Sequence, residues 1–378
     1  MFAGSLPPVR GICDTIGGMI VERRIELRFA QESREAETHT NLSAVRQDGR
    51  CLWVAGDETA TIERLTATTD PSGHITGYDG QRTVRLADLV PLPAGPEEEA
   101  DIEGLARSNG WLWAVGSHSL KRKKIKPGQT GSKARKRLAT VVREDNRFIL
   151  ARLPLAPGED GLSEAVREDG GRTAAVLGGH GDSLTDMLAD DPHLAPFLSV
   201  PSKDNGIDIE GIAAHGERLF IGFRGPVLRG WAALMEVHLE THPDDPARLR
   251  PRPVGKDDEP YRMHFLDLGG LGVRDLCPHG DDLLVLTGPS MDLDGPVRVV
   301  RWPGAAGIDA PGVVHAEDLP VVGELPYGEG DDHAEGIAVL DETDSAGRPK
   351  LMVVYDSPAE ERLTDAGGVL ADVVSFEK

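Results

Sequence analysis

A short apolar strand that opens on a polar or acidic residue and folds back through a tight turn recurs along this chain, and such recurrence limits the fold more than any local propensity. The copies are NLSAV at Asn41 followed by CLWVAGDE at Cys51, DIEGLA at Asp101 followed by WLWAVGSHS at Trp111, and DIEGIA at Asp208 followed by RLFIGFRGP at Arg218. VRDLCPHGDDLLVLTGPS from Val273, and HAEGIAVL at His333 with LMVVYDSP from Leu351, complete the series. Each copy has the pattern of an antiparallel hairpin, and further strand-like runs follow, such as ATIERLT, RFILARLPL, ALMEVHLE, VRVVRW and ADVVSF. Three or four antiparallel strands repeated radially make the blades of a β-propeller. The sequence is therefore read as all-β, a single propeller domain over residues 25–378 after an N-terminal extension of residues 1–24.

Ser43, Glu103, Glu210, Asp275 and Glu335 align as equivalent positions, separated by 60, 107, 65 and 60 residues. The long gap contains a basic loop, residues 121–137, and an insertion, residues 178–205, with a short helix expected around SLTDMLADD. Without those 17 and 28 residues it shrinks to 62, one ordinary repeat. The spacing favours five blades, with six as the alternative. Only 43 residues follow Glu335, while IELRF at Ile25 has no hairpin of its own. That segment is expected to supply the outer strand of the last blade, so that both chain ends pin the ring and leave no open strand edge. A chain beginning near Glu35 should then fail to fold.

In a propeller the starts of the inner strands and the ends of the strands after them surround one mouth of the central channel. The repeat thus gathers Asp101, Glu103, Asp208, Glu210, Asp275 and Glu335 there. Two readings of these acids stay open. Either they are ring fasteners that accept backbone N–H bonds from the neighbouring blade, or they converge to hold a hard divalent cation, calcium or magnesium, through oxygen ligands. Asp57, Ser117, His118, Lys121, Arg224 and Asp356 fall at the same mouth and are the candidate ligand-binding residues. His118 and His333 suit acid–base chemistry or metal ligation, or are simply hydrogen-bonded surface histidines. Arg224 offers a fork of donors for a carboxylate or phosphate, or for an acid of the ring itself; these three are the catalytic candidates. The run from Lys121 to Arg137 should overhang the mouth, as a solvated loop, an anion-steering lid or a dock for an acidic partner.

Charge narrows the partners. Lys+Arg 41 against Asp+Glu 63 leaves −22, which repels nucleic acid and anionic membrane at long range. No run approaches a membrane-spanning length and the opening residues lack a signal-type apolar stretch, so a cytoplasmic protein is expected. Cys13, Cys51 and Cys277 have no metal-type spacing and are read as reduced and inert. GHGDS at Gly179 does not match G-x-S-x-G, and Asp182 or Ser183 is read as a helix N-cap. Walker, Rossmann, H-E-x-x-H and C-x-x-C patterns are absent.

LSAV near the start, GSHS followed by KRKK, DDPHLAPF leading to KDNGIDIEGIA, and HAEGIA near the end together resemble a bacterial family of unknown function numbered 3616. That resemblance implies a propeller and no particular activity. The E-G-[IL]-A piece is also similar to the esterase-like phytase type of propeller, which would imply calcium-assisted phosphoester hydrolysis, with carboxylates on the metal and basic residues on the phosphate. The leading expectation is a small molecule or protein partner bound at the acidic mouth with a divalent cation. The alternatives are a metal-assisted hydrolase of a phosphate or other ester, and an interaction scaffold without turnover.

Overall fold

The recurring hairpins form where the apolar runs and turn residues place them. Leu42–Asp48 pairs with Cys51–Gly56, Ile102–Ser108 with Trp111–Gly116, and Asp208–His215 with Arg218–Leu228, each antiparallel. Gly272–His279 pairs with Asp282–Gly288 and His333–Thr343 with Pro349–Asp356 in the same way. A computed structural model describes residues 15–16, 19–254, 258–291 and 293–376. Within them the chain is mostly β, with curled sheets in a propeller-like, near-closed arrangement. The first strands of the hairpins touch in chain order, and His333–Thr343 returns to touch Leu42–Asp48.

The strand Met19–Arg28 closes the arrangement. It lies antiparallel on the last strand, Gly368–Ser375, as expected for the segment at Ile25, and starts six residues earlier than that segment. Its other edge pairs in parallel with Ile75–Arg85, Leu27 opposite Tyr78, so the first and last hairpins share one nine-stranded sheet. Ile25, Leu27 and Phe29 are buried at this seam. Each contributes roughly 2 kcal/mol by burial, a physical reason for truncation of this strand to destabilise the ring.

Every first strand contains a one-residue slip, or β-bulge, just inside its start. The slips fall between Leu42 and Ala44, Ile102 and Gly104, Ile209 and Gly211, Val273 and Asp275, and Ala334 and Gly336. A bulge re-aims the extra residue and tightens the local twist. The bulged residues are thus Ser43, Glu103, Glu210, Arg274 and Glu335. This corrects the alignment read from the sequence by one residue in the fourth copy. Arg274, not Asp275, is the counterpart of the repeat acid, and Asp275 stands where the other copies carry Gly or Ala. Close approach favours glycine here: a Cβ on Gly211 would sit 3.1 Å from the Asp275 backbone, and one on Gly104 3.1 Å from the Ile212 nitrogen.

Asp275 is accommodated because a guanidinium meets it. Arg46, on Leu42–Asp48, makes a bidentate pair with Asp275 at 2.8 and 3.0 Å. It also donates to the carbonyls of Val45, Ile212, Leu276 and Ile337, which belong to four different first strands. Arg46 and Asp275 are almost fully buried, so the centre of the ring is filled by this pair. Asp275 further accepts from the amides of Leu276 (2.7 Å) and Ile337 (2.9 Å), the fastening role considered for the repeat acids. Ser43 does the same work as a donor, to the carbonyls of Ala55 and Ile102.

The basic stretch is more ordered than a loop. Lys121–Arg122 pairs with Val141–Val142, and Gly131–Leu138 is a helix. Arg122 holds Asp204 at 2.7 Å and the Leu138 carbonyl at 2.6 Å, while Arg137 donates to the Lys124 carbonyl. In the insertion, the helix Leu184–Met187 is capped by Ser183 in a reciprocal capping box with Asp186. Cys51 and Cys277 are buried free thiols; Cys13 lies outside the described residues. No helix among the described residues is long and apolar enough to cross a membrane.

Candidate functional site

The bulges carry the repeat side chains onto one rim, where their neighbours decide their state. On one side Arg274 lies between two acids, bonding Glu335 and approaching Glu210 at 3.4 Å. Glu210 also takes a 2.6 Å bond from Arg224. Arg224 spends its remaining donors on the carbonyls of Pro289 (3.1 Å) and Met291 (3.0 Å). Glu210 is held below the usual carboxylate range: burial alone would raise it, and Arg224 and Arg274 outweigh that. Glu335 is pushed up to about 7 by burial, against the pull of Arg274.

On the opposite side, among Asp57, Asp101 and Glu103, a guanidinium bonds only one acid, Asp101. Glu103 stands between Ser43 and Glu210, and no hydrogen bond to its carboxylate exists among the described residues. Burial, then Asp101, Glu210, Asp57 and Glu335, drives it well above the carboxylate range. Asp57 follows the second strand of the first hairpin; its Oδ1 is buried without a partner among the described residues, and burial with Asp101 nearby pushes it up to about 8. Asp101 is raised by burial even though Arg147 pairs with it. Oxygens of Asp57, Asp101 and Glu103 all lie within 4.8 Å of one another. Two like charges at that separation repel by about 3 kcal/mol at an effective dielectric near 20. The trio therefore needs a proton or a cation.

These three acids and Asp208 line a cavity of about 660 Å³, whose lining also includes Lys121, Arg122, Lys123, Lys124 and Lys203. That size is ample for a small ligand. Lys121 is tethered to Glu99 at 3.1 Å. Arg147 ties the floor together, bonding Asp101, Glu99 and Glu144. Asp208 is pushed up to about 7 by burial, partly opposed by Lys203. Backbone strain marks the rim: Asp101, His118, Asp332 and Ser357 all have positive φ, near +50°. Each such residue costs on the order of 1 kcal/mol and persists only where surrounding structure holds it.

Of the residues selected from the sequence, Asp57, Asp101, Glu103, Asp208 and Lys121 share this cavity. Ser117 sits just beneath, its hydroxyl 2.9 Å from that of Ser119. Glu210, Glu335 and Arg224 form the compensated side, and Asp275 lies below on Arg46. His118 turns away from the mouth: its Nδ1 meets the Gly116 carbonyl at 2.8 Å, its ring packs edge-on to Phe148, and burial lowers it to about 4. It lines a separate cavity of about 130 Å³ under the helix Leu184–Met187. His333 bridges Asp294 (3.3 Å) and Asp356 (3.9 Å), and the Asp356 carboxylate foremost raises its pKa. Arg46, Glu99, Arg147 and Lys203 were not anticipated. Arg46 had a visible signal, since it follows the apolar core of the first copy where DIEGLA and DIEGIA have Ala106 and Ala213.

A β-rich, propeller-like ring with a divided acidic mouth is the class of protein these features define. The chain belongs to the DUF3616 family, described as proteins of unknown function, whose model matches residues 41–372. No curated protein matches it in sequence. Among solved structures it is similar to a glutaminyl cyclase from Myxococcus xanthus, at 10% identity over 95% of this chain and 97% of that one, with a TM-score of 0.40. It is also similar to an α-L-arabinofuranosidase from Podospora anserina, solved with cellotriose, at 9% identity over 96% and 98% of the two chains and a TM-score of 0.39.

Proposed function

We propose that this chain is a five-bladed propeller that binds an anionic ligand at its mouth through a divalent cation, held by Asp57, Asp101 and Glu103. The observation that carries this is the packing of three carboxylates within 4.8 Å of one another, with Arg147 on only one of them. A single ion at about 2.3–2.6 Å from each oxygen fits that spacing, and hard-cation chemistry asks for oxygen ligands of this kind. The residues present thus suit calcium, with magnesium as the smaller competitor. Lys123 and Lys124, which line the same cavity, then meet the ligand's remaining negative charge.

Calorimetric titration of the purified protein with calcium and with magnesium chloride tests this. The expected result is saturable binding in wild type, weakened at least tenfold in Glu103→Gln and in Asp57→Asn. Absence of binding of either ion at neutral pH would overturn the cation reading. The hydrolase alternative draws on one further observation, that Asp208 faces the same cavity with a proton affinity near neutrality, suited to acid–base work beside a bound ion. It predicts metal-dependent ester cleavage that Asp208→Asn abolishes while ion binding persists. An interaction scaffold predicts altered stability in these variants, with neither ion binding nor turnover.

A further inference from the structure

On the face opposite the mouth, where the first strands end, the seam between the chain's two ends encloses a second cavity, of about 280 Å³. Its walls come from the N-terminal strand (Arg23, Ile25), the first hairpin and its outer strand (Arg50, Ile75, Tyr78) and the last hairpin (Leu340). Tyr78 is 1% exposed, yet among the described residues its hydroxyl has no hydrogen-bond partner, and Arg23 Nε is likewise buried without one. Burial raises the Tyr78 hydroxyl further above its ordinary range, so it remains an O–H donor. Two buried donors without acceptors are unusual, because each unmet donor costs about 1–3 kcal/mol. Arg23 turns a different nitrogen to Glu342, so that contact does not use its Nε–H. At the rim, Arg50 makes no side-chain hydrogen bond or ion pair among the described residues.

We propose that this seam cavity binds a small aliphatic carboxylate. Its oxygens accept from the Tyr78 hydroxyl and Arg23 Nε, Arg50 offsets its charge, and its chain lies against Ile25, Ile75 and Leu340. The size argues for a short molecule, since drug-sized ligands occupy about 300–1,000 Å³. Asp341 and Glu342 also line the cavity and act on the Tyr78 hydroxyl, which disfavours a second negative charge, so a monocarboxylate fits better than a dicarboxylate. Because the cavity walls join the N-terminal strand to the first and last hairpins, a bound acid also ties the ring shut and stabilises the folded state by mass action. This site is separate from the mouth and does not depend on how the mouth is read.

The test uses the full chain and sodium hexanoate, with hexylamine and hexanamide as controls, followed by calorimetry and by the thermal unfolding midpoint. Hexanoate should bind saturably and raise the midpoint, and hexylamine should do neither. Tyr78→Phe should weaken hexanoate at least tenfold, as expected for a lost hydrogen bond to a charged group, and hexanamide should bind more weakly than the acid. Arg50→Ala, at the rim and outside the core, should weaken it several-fold and keeps the test valid if Tyr78→Phe folds poorly. Equal behaviour of hexanoate and hexylamine, or unchanged affinity in Arg50→Ala and Tyr78→Phe, would sink the proposal. So would a crystal grown with hexanoate in which only water joins Tyr78 to Arg23.

Discussion

The two sides of the mouth begin from the same bulged position and end in opposite electrostatic states. Around Glu210 and Glu335 the repeat supplies its own cation, Arg274, and Arg224 adds another; around Glu103 the flanking repeat residue is Ser43, and neighbouring Asp57 and Asp101 add charge of the same sign. The backbone device is identical in all copies. Which side chain each neighbour presents makes one acid a fastener and another a group that wants a ligand. Strand geometry therefore places the carboxylates, and departures from the repeat assign their roles.

The floor shared by both sides should be the most sensitive point. Arg46→Met leaves Asp275 buried without its cation, and breaking a buried pair from one side typically costs about 3–5 kcal/mol. A large fall in the denaturant midpoint is expected. The double variant Arg46→Met with Asp275→Leu should recover much of it, because removing both charges avoids the desolvation cost. If the double variant is as unstable as the single one, the carbonyl contacts of Arg46, and not its charge pairing, hold the centre.

A smaller effect is expected on the compensated rim alone. Arg274→Met should cost about 2 kcal/mol, since Glu210 keeps Arg224 while Glu335 loses its bonded partner. The sharper readout is titration: Glu335 should move above its present value of about 7 and come to resemble Glu103. Unchanged titration of Glu335, followed by carboxyl-carbon NMR, would mean that burial, and not Arg274, sets the contrast between the sides.

How much of this the sequence carried differs between fold and site. Hairpin positions, the closing strand at Ile25 and the Ser183 cap were legible because turn residues, alternation and capping are local. The fourth copy was misaligned because VRDLCP offers two adjacent polar residues, and only the bulge register shows that Arg274 takes the rim. Asp57, Asp101, Glu103 and Asp208 were within reach as mouth positions. Their separation from Glu210 and Glu335 was not, because it depends on pairings across 46 to 61 residues, as between Arg147 and Asp101 or Arg274 and Glu335. His118 shows the limit from the other direction: its place in the repeat was right, but a left-handed backbone turns its ring under the neighbouring insertion.

The smallest effect should be the most specific to the Glu103 side. Asp57 has a folded-state pKa near 8, against an ordinary value of 3.8. Between those two pH values the native state binds more protons than the unfolded chain, so its stability falls as pH rises through this window. Asp208, also on this side, adds to the fall up to about pH 7. Asp57→Asn cannot ionise and should flatten the decline, so at pH 8 the variant should exceed wild type by about 1 kcal/mol after allowance for partial exposure. Near pH 4 the two should be equal. Glu335→Gln, on the other side, should show no such gain, because removing its charge also deprives Arg274 of a partner. Chemical denaturation at pH 4.5, 6 and 8 without divalent ions distinguishes the cases. Parallel curves for wild type and Asp57→Asn would mean that Asp57 is ionised in the native protein, and the contrast between the two sides would fail at its most exposed member.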